Sequence, residues 1–268
     1  MRHLFICGVP RSGTTALATL LGSHEQVVLG IERFKLRYRG GEVSPELFAP
    51  DRFFAFEEGD TDVGVAKRQL DEPGLRSKYE NAAFVGDKYP RLYMCFKQLF
   101  PVFPEVKVIY LLRNPVAVAQ SWERRAADSG DRWPSKNDHT LSITEWNLAN
   151  RLVLRAIRDK KEILVVNYDR LFDQKLADGE VDRILKYLNL ERDESINTSL
   201  VSCLNRAKVL AKKRPEVSEE IATFVADSVD LATCGALCRR SRCGLKGMPE
   251  GIRRAPRSES LEGPSAEG

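Results

Sequence analysis

Short apolar runs alternate with longer stretches of helical periodicity along most of the chain. The runs at His3–Gly8 (HLFICG), Gln26–Gly30 (QVVLG), Ala82–Lys88 (AAFVGDK), Val106–Arg113 (VKVIYLLR) and Glu162–Tyr168 (EILVVNY) predict strands. Their near-continuous content of β-branched residues and leucine suits strands buried on both faces of a parallel sheet. Helices are predicted between them at Thr14–Gly22, Pro115–Arg125, Ile143–Lys160 and Gly179–Leu188. Pro115 is well placed in a first helical turn. In the third helix Ile143, Trp146, Leu152 and Ile157 form an apolar stripe able to cover a sheet. This alternation predicts an α/β fold: a central, mainly parallel sheet of about five strands with helices on both faces.

Two regions break the pattern. Arg33–Asn81 is a long excursion rich in glycine, proline and aromatics, among them Phe34, Tyr38, Phe48, Phe53, Phe54 and Phe56. An excursion of that length inside a compact domain suits a functional insertion, here an acceptor-site segment over residues 33–81. From Arg239 the chain turns to Arg, Gly, Pro, Ser and Glu. One domain is therefore expected over 1–238, with a basic tail over 239–268, disordered from about Lys246.

Composition narrows the picture little. With 268 residues, 43% hydrophobic and 30% charged, the chain reads as an ordinary globular protein, and a net charge of +4 is too small to argue for nucleic acid. The N-terminal apolar run is too short for a signal peptide and no run is long enough to span a membrane, so a cytoplasmic setting without a membrane partner is expected. The cysteines read as free thiols on that basis. Cys234, Cys238 and Cys243 cluster without a neighbouring histidine, which leaves scattered thiols or a zinc site.

The chemistry begins at FICGVPRSGTTALATLL, Phe5–Leu21. An apolar strand, a glycine turn and an apolar helix aim backbone N–H groups and a positive helix end at one point. Gly8 and Gly13 have the spacing of the G-x-x-x-x-G-K-[ST] nucleotide loop, but Thr14 stands where that loop has its lysine. Ser12, Thr14 and Thr15 add hydroxyls, and Arg11 offers a forked cation to a terminal anion. A second segment, VIYLLRNPVAVAQSW, puts Arg113 at a strand end and Ser121 eight residues on, about two helical turns away. Both strand ends open on the same sheet edge, so Arg113 and Ser121 are placed to hold a second phosphate.

Together these segments resemble the sulfotransferase family, which uses 3′-phosphoadenosine 5′-phosphosulfate as donor. GVPRSGTT is similar to its 5′-phosphosulfate loop and RNPVAVAQS to its 3′-phosphate motif; GIERF, VGDKYPRLY and VVNYDRLF follow in the expected order. The resemblance covers roughly Met1–Leu190 and lies closer to the protein-tyrosine and carbohydrate branches than to the steroid and phenol branch. It implies a three-layer P-loop NTPase-like fold, that donor as co-substrate and no metal. It also implies that Arg11, Ser12, Gly13, Thr14, Thr15, Arg113 and Ser121 bind the donor, and that Arg11, Glu32 and Lys88 carry catalysis. Glu32 corresponds to the family's base and Lys88 to a lysine that polarises the leaving group. A sulfate terminus explains the missing loop lysine, since no magnesium need bridge two outer phosphates.

His24 is a rival base, though GSHEQV resembles a structural turn; His139 lies in a polar loop, and Tyr168 and Asp169 are read as anchors of a strand end. The family's basic C-terminal segment often carries a tryptophan. Here NRAKVLAKKRPEVSEEI has none, and Lys208, Lys212, Lys213 and Arg214 are the candidates to close over the 3′-phosphate. A small kinase with a divergent loop and a non-catalytic nucleotide-binding protein remain as alternatives. The acceptor, a small molecule, carbohydrate or peptide bearing a hydroxyl or amine, and the oligomeric state stay open.

Overall fold

The computed structural model of the chain describes residues 2–61, 73–212 and 216–241. The five predicted strands are present as β1 (Arg2–Cys7), β2 (Val27–Ile31), β3 (Phe84–Lys88), β4 (Lys107–Leu112) and β5 (Ile163–Asn167). All neighbours pair in parallel, in the order β2-β3-β1-β4-β5. The longer helices are α1 (Thr14–Gly22), α2 (Pro115–Ala126), α3 (His139–Arg158), α4 (Ala177–Leu188), α5 (Glu194–Lys212), α6 (Glu219–Ser228) and α7 (Leu231–Arg240).

The sheet is buried on both sides, as its apolar strands require. Along β1 the side chains alternate: Leu4 and Ile6 join the core beneath α1 and α4, while Phe5 and Cys7 join the core that holds Trp122 and Trp146. β1 sits at the centre because it buries both faces, and Gly86 of β3 lets it come close. A Cβ on Gly86 would lie 1.7 Å from the Leu4 carbonyl oxygen.

Helix boundaries follow local chemistry. α2 begins at Pro115 with the Asn114 side chain accepting from the Val116 N–H at 2.9 Å. α3 starts four residues before the expected Ile143, because the Asp138 side chain accepts from the Leu141 N–H at 3.0 Å and caps a polar first turn. α5 buries only Ile196 and Leu200, too few apolar positions to reveal a helix in the sequence.

The excursion after β2 forms short helices at Lys35–Arg39, Pro50–Phe54 and Leu75–Glu80. Most of its aromatics pack inward. Phe34, Tyr38, Phe48 and Phe53 are buried, and the Phe48 ring meets those of Phe5 and Phe34 edge-on at 5.4 Å. The excursion thus closes the core on its face of the sheet. Cys234, Leu237, Cys238 and Ser241 are buried too, so packed chain runs past the expected boundary at 238. The tail expectation and Cys243 lie outside the described residues. Among the described residues no group of ligands could hold a metal ion, and no single helix is long and apolar enough to cross a membrane.

The close approach at Gly86 makes a definite expectation. Gly86→Ala must part β1 from β3 or bend both, and overpacking of that kind costs about 1–3 kcal/mol or more. A denaturant midpoint equal to that of the unmodified protein would show that the two strands can separate freely.

Candidate active site at the carboxyl edge of the sheet

β1 and β4 end side by side at the point where the strand order reverses, so the segments after them face one crevice. After Cys7 the chain makes the predicted loop. The Gly8 N–H donates to the Pro90 carbonyl at 3.0 Å and the Ser12 N–H to the Val9 carbonyl at 2.9 Å. Arg11 and Gly13 both take left-handed backbone angles, with φ of 75° and 91°. Glycine bears this without steric cost; arginine does not. Gly13 also lies against the Tyr168 ring, where a Cβ would approach to 2.4 Å. Gly13 is the N-cap of α1 and supplies no side-chain cap. The first-turn N–H groups of α1 therefore point outward for an anion.

The loop is gripped from beneath. The buried Trp122 indole N–H donates to the Pro10 carbonyl at 2.8 Å, and the buried Trp146 indole N–H to the Arg113 carbonyl at 3.1 Å. The Arg113 guanidinium donates to the Arg11 carbonyl and stacks 4.3 Å from the Tyr168 ring centroid. Arg11 Nε donates to Ser121 Oγ at 3.3 Å. The two predicted anion-binding segments are thus physically joined.

Pro10, Arg11, Gly13, Arg113, Ser121 and Tyr168 line a cleft of about 600 Å³. Its positive end holds Arg11, Arg113, Arg124, Arg125 and, from α5, Arg206. Arg11 reaches solvent, but partial withdrawal from water, then the charges of Arg125, Arg113 and Arg124, push its pKa below the ordinary arginine value. Like charges gathered this closely want an anion between them. Arg125 has Asp131 as partner at 2.6 Å. A second hollow of about 450 Å³ adjoins the cleft behind Tyr168 and Phe172, with Asp169, Lys175 and Lys208 on its walls.

The other end of the cleft holds Glu32 and Lys88. Lys88 is almost fully buried, and its Nζ donates to Glu32 Oε1 at 2.8 Å. Lys35 stands 3.8 Å from Glu32 Oε2. Glu32 is partly exposed and has a left-handed φ of 57°. Strain held at a cleft residue points to a functional demand. Beside it, burial pushes the Asp87 carboxyl up to about 6, against the hydrogen bonds it accepts from the Arg33 and Phe34 amides.

Arg11, Gly13, Thr14, Thr15, Glu32, Lys88, Arg113 and Ser121 of the predicted set all meet here. Ser12 does not: it is buried under the loop and absent from the cleft lining. His24 follows α1, whose nine residues carry it about 13 Å from the loop. There its Nε2 lies 2.8 Å from the Glu191 carbonyl and its Nδ1 accepts from the Gln26 N–H at 3.0 Å. Both ring nitrogens are engaged in fixing a turn. His139 is paired with Glu123 at 2.7 Å. Sequence reasoning missed Arg124 and Arg125, though their i+3 and i+4 spacing from Ser121 puts them on its helix face. It also missed Arg206, because α5 was not recognised.

Residues 3–194 match the model of the sulfotransferase family. The chain belongs to that family. Protein-tyrosine sulfotransferase 1 of Danio rerio is 25% identical over 215 residues, which cover 73% of this chain and 55% of that protein. Nodulation protein NoeE of Sinorhizobium fredii is 26% identical over 216 residues, covering 70% of this chain and 50% of that one. The chain thus spans about half the length of these curated relatives. Among solved structures, a sulfotransferase from Alicyclobacillus acidocaldarius superposes with a TM-score of 0.52 at 16% identity, covering 90% of this chain and 96% of that one. The sulfotransferase domain from the curacin biosynthetic pathway gives 0.51 at 15% identity, covering 85% and 97%. These likenesses support the P-loop-like layered fold.

The anion loop of this sulfotransferase-family chain can be tested with a simple anion. Inorganic pyrophosphate should raise the melting temperature of the unmodified protein and leave that of Gly13→Ala unchanged, since a left-handed alanine facing Tyr168 must distort the loop. Equal rises would place the anion site elsewhere.

Proposed function

We propose that the chain transfers a sulfuryl group from 3′-phosphoadenosine 5′-phosphosulfate to a hydroxyl or amine acceptor. The observation that carries this reading is one cleft with two different ends: an arginine-rich anion loop and a paired Glu32 and Lys88. The loop fits a phosphosulfate. It has outward amides, a forked Arg11 and no lysine after Gly13. Arg113 and Ser121 are assigned to the 3′-phosphate. Arg206 rather than Lys212 is the basic residue of α5 that reaches the cleft; Lys213 and Arg214 lie outside the described residues. The Tyr168 and Phe172 rings give an apolar surface for a base.

In the reaction, the acceptor oxygen or nitrogen bonds to sulfur as the bond from sulfur to the 5′-phosphate oxygen breaks. Glu32 takes the acceptor proton. The charge left on the 5′-phosphate is met by the loop amides, Arg11 and Lys88. Lys88 is held by Glu32 before the donor enters, so it can turn to the departing phosphate as Glu32 turns to the acceptor. The protein-tyrosine relatives support a phenolic hydroxyl as the first acceptor class to examine. Cys7 and Cys95 are buried free thiols, which supports a cytoplasmic setting as part of the same proposal.

The direct experiment is calorimetric titration with adenosine 3′,5′-bisphosphate, followed by a screen of acceptor classes with labelled donor. Tight binding without magnesium is expected; binding of ATP that requires magnesium would instead indicate a phosphotransferase. Arg113→Ala should weaken the bisphosphate by about 2–3 kcal/mol, the scale of a charged hydrogen bond. AMP should lose less, through the Arg11 carbonyl that Arg113 also holds. Equal losses would remove Arg113 from the 3′-phosphate. Glu32→Gln should keep bisphosphate affinity and fold while turnover falls about a hundredfold or more. A normal rate would dismiss Glu32 as the base.

A further inference from the structure

The turn that carries Glu32 is built on the end of β3. The register sets Gly30 beside Asp87 and Ile31 beside Lys88. The Glu32 N–H still donates to the Lys88 carbonyl at 2.8 Å, and then the chain leaves the sheet through the left-handed backbone of Glu32. What receives it is a side chain. Asp87 is fully buried; its Oδ1 accepts from the Arg33 N–H at 3.0 Å and its Oδ2 from the Phe34 N–H at 3.1 Å. Gly30 gives the turn room to sit on that carboxyl: a Cβ there would stand 2.6 Å from Arg33 Cβ and 2.9 Å from Asp87 Oδ1.

The next residue is fixed as firmly. The Arg33 guanidinium is fully buried and donates to the Phe53 carbonyl at 3.1 Å, the Ala55 carbonyl and Asp60 Oδ2 at 2.6 Å. Burial pushes Asp60 up, but hydrogen bonds from Arg52 and Arg33 outweigh it and hold the carboxyl well below its usual range. Glu32 is therefore a short span between two fixed points, Lys88 of the strand and Arg33 of the turn. Its own side chain is partly exposed and contributes nothing to the core. A buried carboxylate spent on two adjacent amides, one step from a strained cleft residue, serves placement.

We infer that Asp87 is the positioning residue that sets the Glu32 carboxylate at the floor of the cleft, an inference that rests on Glu32 being the base. Asparagine at 87 keeps one acceptor oxygen but turns an NH₂ group toward the second amide, so one end of the turn comes loose. The anion loop follows β1 and makes no hydrogen bond to the Asp87 side chain.

The test uses water as acceptor, because the natural acceptor is not needed. Release of labelled inorganic sulfate from 3′-phosphoadenosine 5′-phosphosulfate is measured for Asp87→Asn, Glu32→Gln and the double variant. Water's oxygen bonds to sulfur, its proton passes to Glu32, and adenosine 3′,5′-bisphosphate leaves. Asp87→Asn is expected to lower the maximal rate about tenfold or more, with bisphosphate affinity within about twofold. In the Glu32→Gln background the same change should cost less than about twofold, since a positioning residue has nothing left to position. An equal fractional loss in both backgrounds, or a matching loss of bisphosphate affinity, would show that Asp87 acts through the general fold and overturn the inference. Glu32→Gln at full rate would instead remove the base itself, a distinct failure. If Asp87→Asn does not fold, hydrogen exchange on the unmodified protein decides. Slow exchange at both the Arg33 and Phe34 amides supports the clamp, and exchange as fast as in an unstructured peptide overturns it.

Discussion

Two buried indole N–H groups hold the cleft in place. Trp122 and Trp146 each give their single donor to a main-chain carbonyl, Pro10 in the loop after β1 and Arg113 at the end of β4. An indole has one N–H and no acceptor, and when buried it must find a partner. Both tryptophans therefore lock helices α2 and α3 to the two segments that converge on the anion. The arginines add mutual repulsion, and Arg11 and Glu32 add backbone strain. The loop holds this stress because the core beneath it is close-packed and its carbonyls are already spoken for.

The fold was legible because its strands are apolar on both faces. All five announced themselves, and a mainly parallel sheet followed from the helical segments between most of them; the strand order did not. α5 and the helices after it did not, for a physical reason. α5 buries two residues, so its pattern carries little periodicity, and its contribution to the cleft, Arg206, stayed hidden. The aromatic excursion was ambiguous. Its aromatics suit either an acceptor pocket or the segment's own core, and Phe34, Phe48 and Phe53 fill the core over Phe5. Aromatic content alone cannot separate a pocket wall from packing.

The candidate site was legible in its charged residues and less so in its supports. Arg11, Glu32, Lys88, Arg113 and Ser121 sit in motifs of fixed spacing, and they meet in one cleft. Ser12 shares the loop motif but turns inward. Asp87 stands beside Lys88 in the GDK triplet and drew no attention, because a carboxylate that caps two amides has no spacing signature. Its partners, Arg33 and Phe34, lie more than fifty residues away in sequence.

The pairing of Lys88 with Glu32 gives the cleft a polarity. One end gathers five arginines, of which Arg125 is paired with Asp131, and at the other Lys88 is held by Glu32 with Lys35 close by. An anion is drawn most strongly to the arginine end. In the proposed reaction a neutral acceptor meets a free base only once the Lys88–Glu32 contact opens. For that proposed reaction this charge pattern favours an order of events, donor first and acceptor second.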